Sequence, residues 1–196
     1  MDRRPPIPAA TPVSVDPATG LLKGARYVPS PNFDVRPPGC PVEVLIVHSI
    51  SLPPGEFGGE DIERLFCNAL DVSSHPFYEG LRGLRVSAHL LIRRDGELVQ
   101  FVPFHARAWH AGVSVCEGRP KVNDFSIGVE LEGADSVPFA DAQYAVLPAV
   151  TQAIMRAYPH ITSQRIYGHS DIAPGRKTDP GPSFDWSRFR RSLDHI

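Results

Sequence analysis

Two histidines and one aspartate occupy positions from which side chains can meet at a single point. His48 closes the apolar, β-branched run in VEVLIVHSI, and His169 follows the short run RIYG at the start of the loop HSDIAPGRKTDPGP. Both are strand ends, where a rigid scaffold meets solvent-accessible loop and where sites are usually built. Asp179 follows His169 by ten residues in the same loop, between Thr178 and Pro180. Two imidazoles and a carboxylate fill three corners of a tetrahedron and leave the fourth for water, the arrangement of a hydrolytic zinc centre. Spacing alone does not single out this triple, because the chain has eight histidines.

A metal hydrolase also needs a base for the proton of water and a cation near the developing oxyanion. The segment FSIGVELEG alternates, with Ile127, Val129 and Leu131 on one side and Gly128, Glu130 and Glu132 on the other. This predicts a strand with one core face and one polar face, kept open at Gly128. Glu130 could serve as the base, and Lys177, two residues before Asp179, as the cation. Each has a plainer alternative: Glu130 and Glu132 as exposed strand carboxylates, and Lys177 as a solvated loop charge. Cys40, Cys67 and Cys116 are odd in number, widely spaced and without a CxxC pair. That argues against a disulfide framework, a thiolate zinc knuckle and a thiol nucleophile.

The elements that must position these residues can be read from periodicity. Val42 to Val47 suits a strand buried on both faces. EDIERLFCNAL places Ile62, Leu65, Phe66, Ala69 and Leu70 at helical spacing, and a polar loop is expected from Asp71 to Gly83. VSAHLLIRRDGELVQFV reads as a β-hairpin turning at Asp95-Gly96. A helix is predicted from Asp141 to Tyr158, with Asp141 as its cap and with Pro148 either kinking it or marking its true start. Asp185 is expected to cap a last helix that turns Trp186, Phe189 and Leu193 inward. Strands and helices interleave without regular βαβ spacing, which predicts an α+β fold: a mixed β-sheet flanked by helices.

With 196 residues, 42% of them hydrophobic and 21% charged, the chain suits one globular domain. Residues 1–20 are Pro-rich and read as a tail, leaving 21–196 as the domain. Twenty Lys and Arg against 22 Asp and Glu give a net charge of -2, which excludes a global positive field for nucleic acid or a membrane surface. The opening MDRRPPIPAATP lacks the apolar stretch of a secretory signal, so a cytoplasmic location is expected.

Taken together, LIVHSISLPPGEFGG, RVSAHLLIRRDGELVQFVPFHARAWHAG, NDFSIGVELEG and GHSDIAPGRKTDPGPSFDW closely resemble the AmpD amidases, the cytoplasmic 1,6-anhydro-N-acetylmuramyl-L-alanine amidases of cell-wall recycling. The resemblance runs in order from about Tyr27 to Phe189. It extends more broadly to peptidoglycan recognition proteins and phage amidase lysozymes, and implies a single domain of that type. It implies one zinc per chain on His48, His169 and Asp179, Glu130 as catalytic glutamate and Lys177 as the lysine that stabilises the intermediate. It further implies Arg85 in LRVSAH meeting stem-peptide carboxylates, and Ser49, Trp109 and His110 in the substrate cleft. The implied partner is an anhydromuropeptide, with no obligatory protein partner.

Two departures, Ser49 where many relatives have Asn and Lys121 where some have Arg, fall near the expected peptide subsite. His89 reads as a structural imidazole behind the metal, and His75, His105, His160 and His195 as surface residues. Rival functions are a wall-lytic amidase acting on intact peptidoglycan and a non-catalytic peptidoglycan-binding module.

Overall fold

The computed structural model describes residues 13–194, so most of the expected tail and His195 lie outside the described residues. Ten strands run as β1 (Arg26–Tyr27), β2 (Phe33–Asp34), β3 (Val44–Ile50), β4 (Leu90–Ile92), β5 (Leu98–Gln100), β6 (Arg107–Ala108), β7 (Val115–Cys116), β8 (Arg119–Pro120), β9 (Ser126–Glu132) and β10 (Ile166–Gly168). The helices are α1 (Asp61–Phe66), α2 (Asp141–Ala157), α3 (His169–Ile172) and α4 (Trp186–Asp194). Six strands form one mixed sheet in the order β1-β5-β4-β9-β3-β10, and β2/β6 and β7/β8 make two short ribbons. Only the β4/β5 hairpin is antiparallel within the sheet; the other pairs are parallel.

At the centre, β3 and β9 lie side by side over seven residues each, in a register that sets Val44 against Ser126, Ile46 against Gly128, His48 against Glu130 and Ile50 against Glu132. Those eight residues share one face, because side chains alternate along a strand. The opposite face carries Leu45, Val47, Ile127, Val129 and Leu131, which pack against Leu147, Val150 and Ile154 of α2 and Phe189 of α4. Burying those apolar side chains is the dominant stabilising contribution, about 1.5–3 kcal/mol for each large one.

The polar face predicted for β9 is not solvent-exposed: all seven residues from Ser126 to Glu132 are buried. A central strand is covered on both sides, here by the 109–125 segment, α3 and the loop after β3. Its polar side chains must therefore find partners inside the protein. Glu132 does so by accepting hydrogen bonds from Arg93 and from the backbone N–H groups of Gly58 and Arg94.

Local signals place most of the remaining elements. The hairpin turns at Gly96 with φ +91°, a conformation that favours glycine. Asp185 caps α4 by accepting the Arg188 N–H at 2.8 Å. The α2 helix starts after Ala140 and runs through Pro148, so that proline neither begins nor ends it. The first helix stops at Phe66, short of the predicted Ala69 and Leu70, because Asn68 turns left-handed at φ 59°. Within the expected polar loop, Pro76–Leu81 form a 3-10 turn that buries Tyr78, whose hydroxyl donates to Asp61 at 2.7 Å. The described part of the 1–20 segment packs on the domain: Val13 and Val15 lie against the core, and Val15 bridges to Leu22. Among the described residues, no helix is long and apolar enough to cross a membrane.

Candidate metal centre

His48 reaches the centre from the middle of a buried parallel pair and is 1% exposed. His169 begins α3, immediately after β10 pairs with β3, so the same sheet sets both imidazoles. Asp179 returns to them because the backbone N–H of Ser170 donates to the Asp179 carbonyl, closing the loop on itself. The three side chains meet in a small triangle. Nδ1 of His48 lies 3.0 Å from Nδ1 of His169, and each nitrogen lies 3.1 Å from Oδ2 of Asp179. They are the group among the described residues able to hold a metal ion.

The far ring nitrogens are also engaged. Nε2 of His169 faces the Ala111 carbonyl at 3.2 Å, and Nε2 of His48 faces Nδ1 of His110 at 2.8 Å. A carbonyl only accepts, so with its proton on Nε2 His169 would donate to Ala111 and leave Nδ1 free for a metal; the Arg176 guanidinium, which only donates, lies farther from Nε2 at 3.4 Å. Burial pushes His48 down to about 4, against the pull of Asp179. Burial also raises the Asp179 carboxyl, but the two imidazoles beside it outweigh that and hold it below the usual range. A neutral His48 and an ionised Asp179 are protonation states that ligate a metal.

Glu130 stands opposite His48 on the same face, 8% exposed, with Oε2 buried and no hydrogen-bond partner among the described residues. Burial raises its pKa well above the ordinary glutamate value, Asp179 adds to the rise, and Lys177 opposes it. Glu132, two residues on, is tied up with Arg93 and the backbone, which leaves Glu130 as the carboxylate of this strand that opens on the centre.

A cleft of about 300 Å³ contains His48, His169 and Asp179 together with Glu130 and Lys177, and Ser49, Trp109 and His110 also line it. Phe77 and Leu84, roughly half-exposed, add apolar surface to the cleft. Ser49 donates to the Pro180 carbonyl at 3.4 Å, next to Asp179. Arg85 is exposed in an adjoining hollow that shares Leu65, Leu81 and Leu84 with the cleft, and Lys121 lines neither. His89 is fully buried behind the centre, accepting the Gly128 N–H and donating to the Ala106 carbonyl. Of the four expected surface histidines, His105 and His160 are exposed, whereas half-buried His75 accepts the Phe77 N–H at the start of the 3-10 turn.

A larger cleft, about 530 Å³, lies elsewhere among Arg26, Glu63, Arg93 and Glu97, whose charges pair with one another. The Cys116 thiol is pushed by burial up to about 11, and burial likewise raises Cys67, as unreactive thiols require. Sequence reasoning overlooked Ser126 and Asn123. Ser126 could have been found from the same alternation that marks Gly128 and Glu130, but Asn123 carries no local signal.

The fold, a mixed sheet with a His-His-Asp group formed by His48 of β3, His169 just after β10 and Asp179 of the following loop, and a match over residues 38–182 to the N-acetylmuramoyl-L-alanine amidase model agree: the chain belongs to that family. It is 60% identical over 171 residues to the 1,6-anhydro-N-acetylmuramyl-L-alanine amidase AmpD of Escherichia coli K12, covering 87% of this chain and 93% of that protein. The crystal structure of a selenomethionine AmpD derivative superposes with a TM-score of 0.87 at 58% identity, covering 89% of this chain and 97% of that one. The E. coli amidase AmiD, solved with the substrate anhydro-N-acetylmuramic acid-L-Ala-D-γ-Glu-L-Lys, matches at 30% identity and a TM-score of 0.56, over 77% of this chain and 57% of its own.

Proposed function

We propose that this chain is a zinc-dependent, cytoplasmic amidase of cell-wall recycling that hydrolyses the amide between anhydro-N-acetylmuramic acid and L-alanine in muropeptides. The observation that carries the metal is the triangle of donor atoms 3.0–3.1 Å apart. Three such donor atoms held so close repel one another unless protons or a metal cation lie among them, and ligands about 2.0 Å from a tetrahedral zinc would be spaced by roughly 3.3 Å, close to the separations found. His48, His169 and Asp179 would hold one zinc per chain. When bound, zinc supplies a Lewis acid that makes water a better nucleophile at neutral pH and polarises the amide carbonyl.

The chain's own groups carry the proton and the charge. Glu130 accepts a proton from the attacking water and returns it to the departing alanine nitrogen as the C–N bond breaks. Its burial raises its proton affinity, which suits a group that must act as base and then as acid. Lys177, exposed at the cleft and without an ion pair among the described residues, presents its ammonium to the carbonyl oxygen as that oxygen gains charge. Ser49 and Trp109 line the sugar and peptide path, and Arg85, in the adjoining hollow, receives a carboxylate of the stem peptide. The 60% identity to AmpD over most of both chains supports the anhydromuropeptide as substrate.

The test is zinc content together with release of free stem peptide from anhydromuropeptide and from intact sacculi, measured in parallel. One zinc per chain and release from the anhydromuropeptide are expected. Release from sacculi alone would make the protein a wall-lytic amidase, and binding without zinc or turnover would make it a peptidoglycan-binding module.

A further inference from the structure

The segment expected to meet substrate, Trp109 to Gly112, does something else at its middle two residues. His110 places Nδ1 2.8 Å from Nε2 of His48, and its own Nε2 lies 3.0 Å from Oγ of Ser126. The next residue, Ala111, offers its carbonyl to Nε2 of His169. Both imidazoles of the centre are therefore backed by one dipeptide. That dipeptide is held in place by Asn123, whose Oδ1 accepts the backbone N–H groups of His110 and Ala111 at 3.2 and 2.8 Å, and by Arg176, which donates to the Ala111 carbonyl at 2.6 Å. Gly128 makes the room: a Cβ there would lie 2.5 Å from Cγ and Nδ1 of the His110 ring.

We infer that His110, with Ser126 behind it, is a positioning residue that accepts the Nε2 proton of His48 and so supports the tautomer that presents a bare Nδ1 to the metal, while Ala111 does the same for His169. The inference rests on the reading of His48 as a metal ligand. For His169 the Ala111 carbonyl at 3.2 Å favours a proton on Nε2 over the Arg176 guanidinium at 3.4 Å, which would donate to a bare one. For His48 two directions exist. If His48 donates through Nε2 to His110, then His110 must carry its proton on Nε2 and give it to Ser126, and Nδ1 of His48 is free. In the reverse direction His110 donates from Nδ1, and His48 must carry its proton on Nδ1, where it blocks the metal. The Ser126 hydroxyl can accept or donate and so suits both directions; a cation at Nδ1 of His48 selects the first, and Ser126 then takes the His110 proton in a place where an unpartnered N–H would be costly.

Three alternating residues of β9 thus serve one end: Ser126 anchors the His110 ring, Gly128 clears its place, and Glu130 opens on the centre. The two nitrogens of His110 are spent on this arrangement, which leaves neither for a hydrogen bond to substrate although the ring borders the cleft.

The test is zinc affinity by chelator competition in purified His110→Phe, His110→Asn and Ser126→Ala proteins, with folding followed by circular dichroism and the ring nitrogens of zinc-loaded protein read by ¹⁵N NMR. Phe fills the space but accepts nothing, so His110→Phe should bind zinc about 10–100-fold more weakly. The Asn oxygen stands near the position of Nδ1, so His110→Asn should recover part of the loss. Ser126→Ala should weaken binding in the same direction by a smaller factor. The NMR spectrum should show His48 and His110 protonated at Nε2 and bare at Nδ1. Should His110→Phe fail to fold, Ser126→Ala and the NMR tautomers decide the matter.

Wild-type affinity in both folded variants, or in Ser126→Ala alone when His110→Phe does not fold, overturns the inference, as does a His48 proton on Nδ1. A raised KM for muropeptide with unchanged zinc affinity would overturn it in favour of a substrate contact. If instead the unaltered protein binds no zinc, or His169→Ala binds it as tightly, the metal reading itself has failed.

Discussion

His48 and Glu130 are directly opposed across the parallel pair of β3 and β9 and point to the same face of the sheet. One imidazole and one buried carboxylate are thereby fixed relative to each other by backbone hydrogen bonds instead of by loops. A site supported in this way holds its geometry without substrate, which is what a base acting on a metal-associated water requires.

Glu130→Gln should therefore keep its zinc and its fold while kcat falls by about 10²–10⁴-fold. Zinc analysis alongside turnover of an anhydromuropeptide checks this. Glu132→Gln removes charge from a structural carboxylate and should act chiefly through stability. A larger kcat loss for Glu132→Gln than for Glu130→Gln would reverse the assignment.

Lys177 makes no ion pair among the described residues and lines the cleft together with Glu130 and Asp179. Lys177→Ala should lower kcat by roughly 10²-fold or more with zinc occupancy unchanged, because a fixed cation matters most when negative charge develops. Lys177→Arg should restore little, since the planar guanidinium cannot occupy the same point. Near-normal turnover in the zinc-replete alanine variant would return Lys177 to the solvated surface.

Gly128→Ala introduces a methyl group into the His110 ring. It should cost about 1–3 kcal/mol of stability by overpacking and weaken zinc binding along with it. Thermal melting and chelator competition read the two effects separately, and unchanged values in both would mean that the ring moves aside freely.

Away from the centre, a hydrogen bond from Arg26 holds Glu63 down to about 2; burial opposes this and Arg93 assists it. A carboxyl with a depressed folded pKa stabilises the protein above its unfolded value and loses that contribution as pH falls through the folded one. Glu63→Gln should therefore destabilise by about 1 kcal/mol at pH 7, the value being modest because the group is partly solvent-screened. The difference from the unaltered protein should vanish between pH 4.5 and about 2. A constant difference across that range in denaturant titrations would show that packing, not charge, is at stake.

Arg85→Lys should raise KM for muropeptides more than it lowers kcat, because the residue sits in a hollow beside the cleft whose lining includes none of His48, Glu130, His169 and Asp179. Substrates shortened to lack the distal stem carboxylates should be indifferent to the change. An equal effect on short and full stems would remove Arg85 from the peptide path.

What could be read in the chain followed from interactions between near neighbours. The β4/β5 hairpin was legible in Asp95-Gly96 because a tight turn needs positive φ at that glycine, and the start of α4 in Asp185 because a cap acts on an N–H three residues away. Helix α1 was overextended because periodicity continues through Ala69 and Leu70 while the backbone turns at Asn68. The polar face of β9 was read correctly but its burial was not legible, since alternation reports which residues share a side and not what will cover that side.

The sequence by itself marked β3, the β4/β5 hairpin, β9 and β10, the set of groups capable of metal chemistry and, through its family motifs, which histidines to favour among eight, whereas the two-residue strands β1, β2, β6, β7 and β8 carry no periodicity to read. Tertiary structure alone decided that Glu130 faces a buried centre while Glu132 is held by Arg93, and that His110 backs His48 across a separation of 62 residues. Periodicity and caps act over a few residues, whereas the protonation and partners of a buried polar group depend on which distant segments are packed around it, and only the folded chain brings those together.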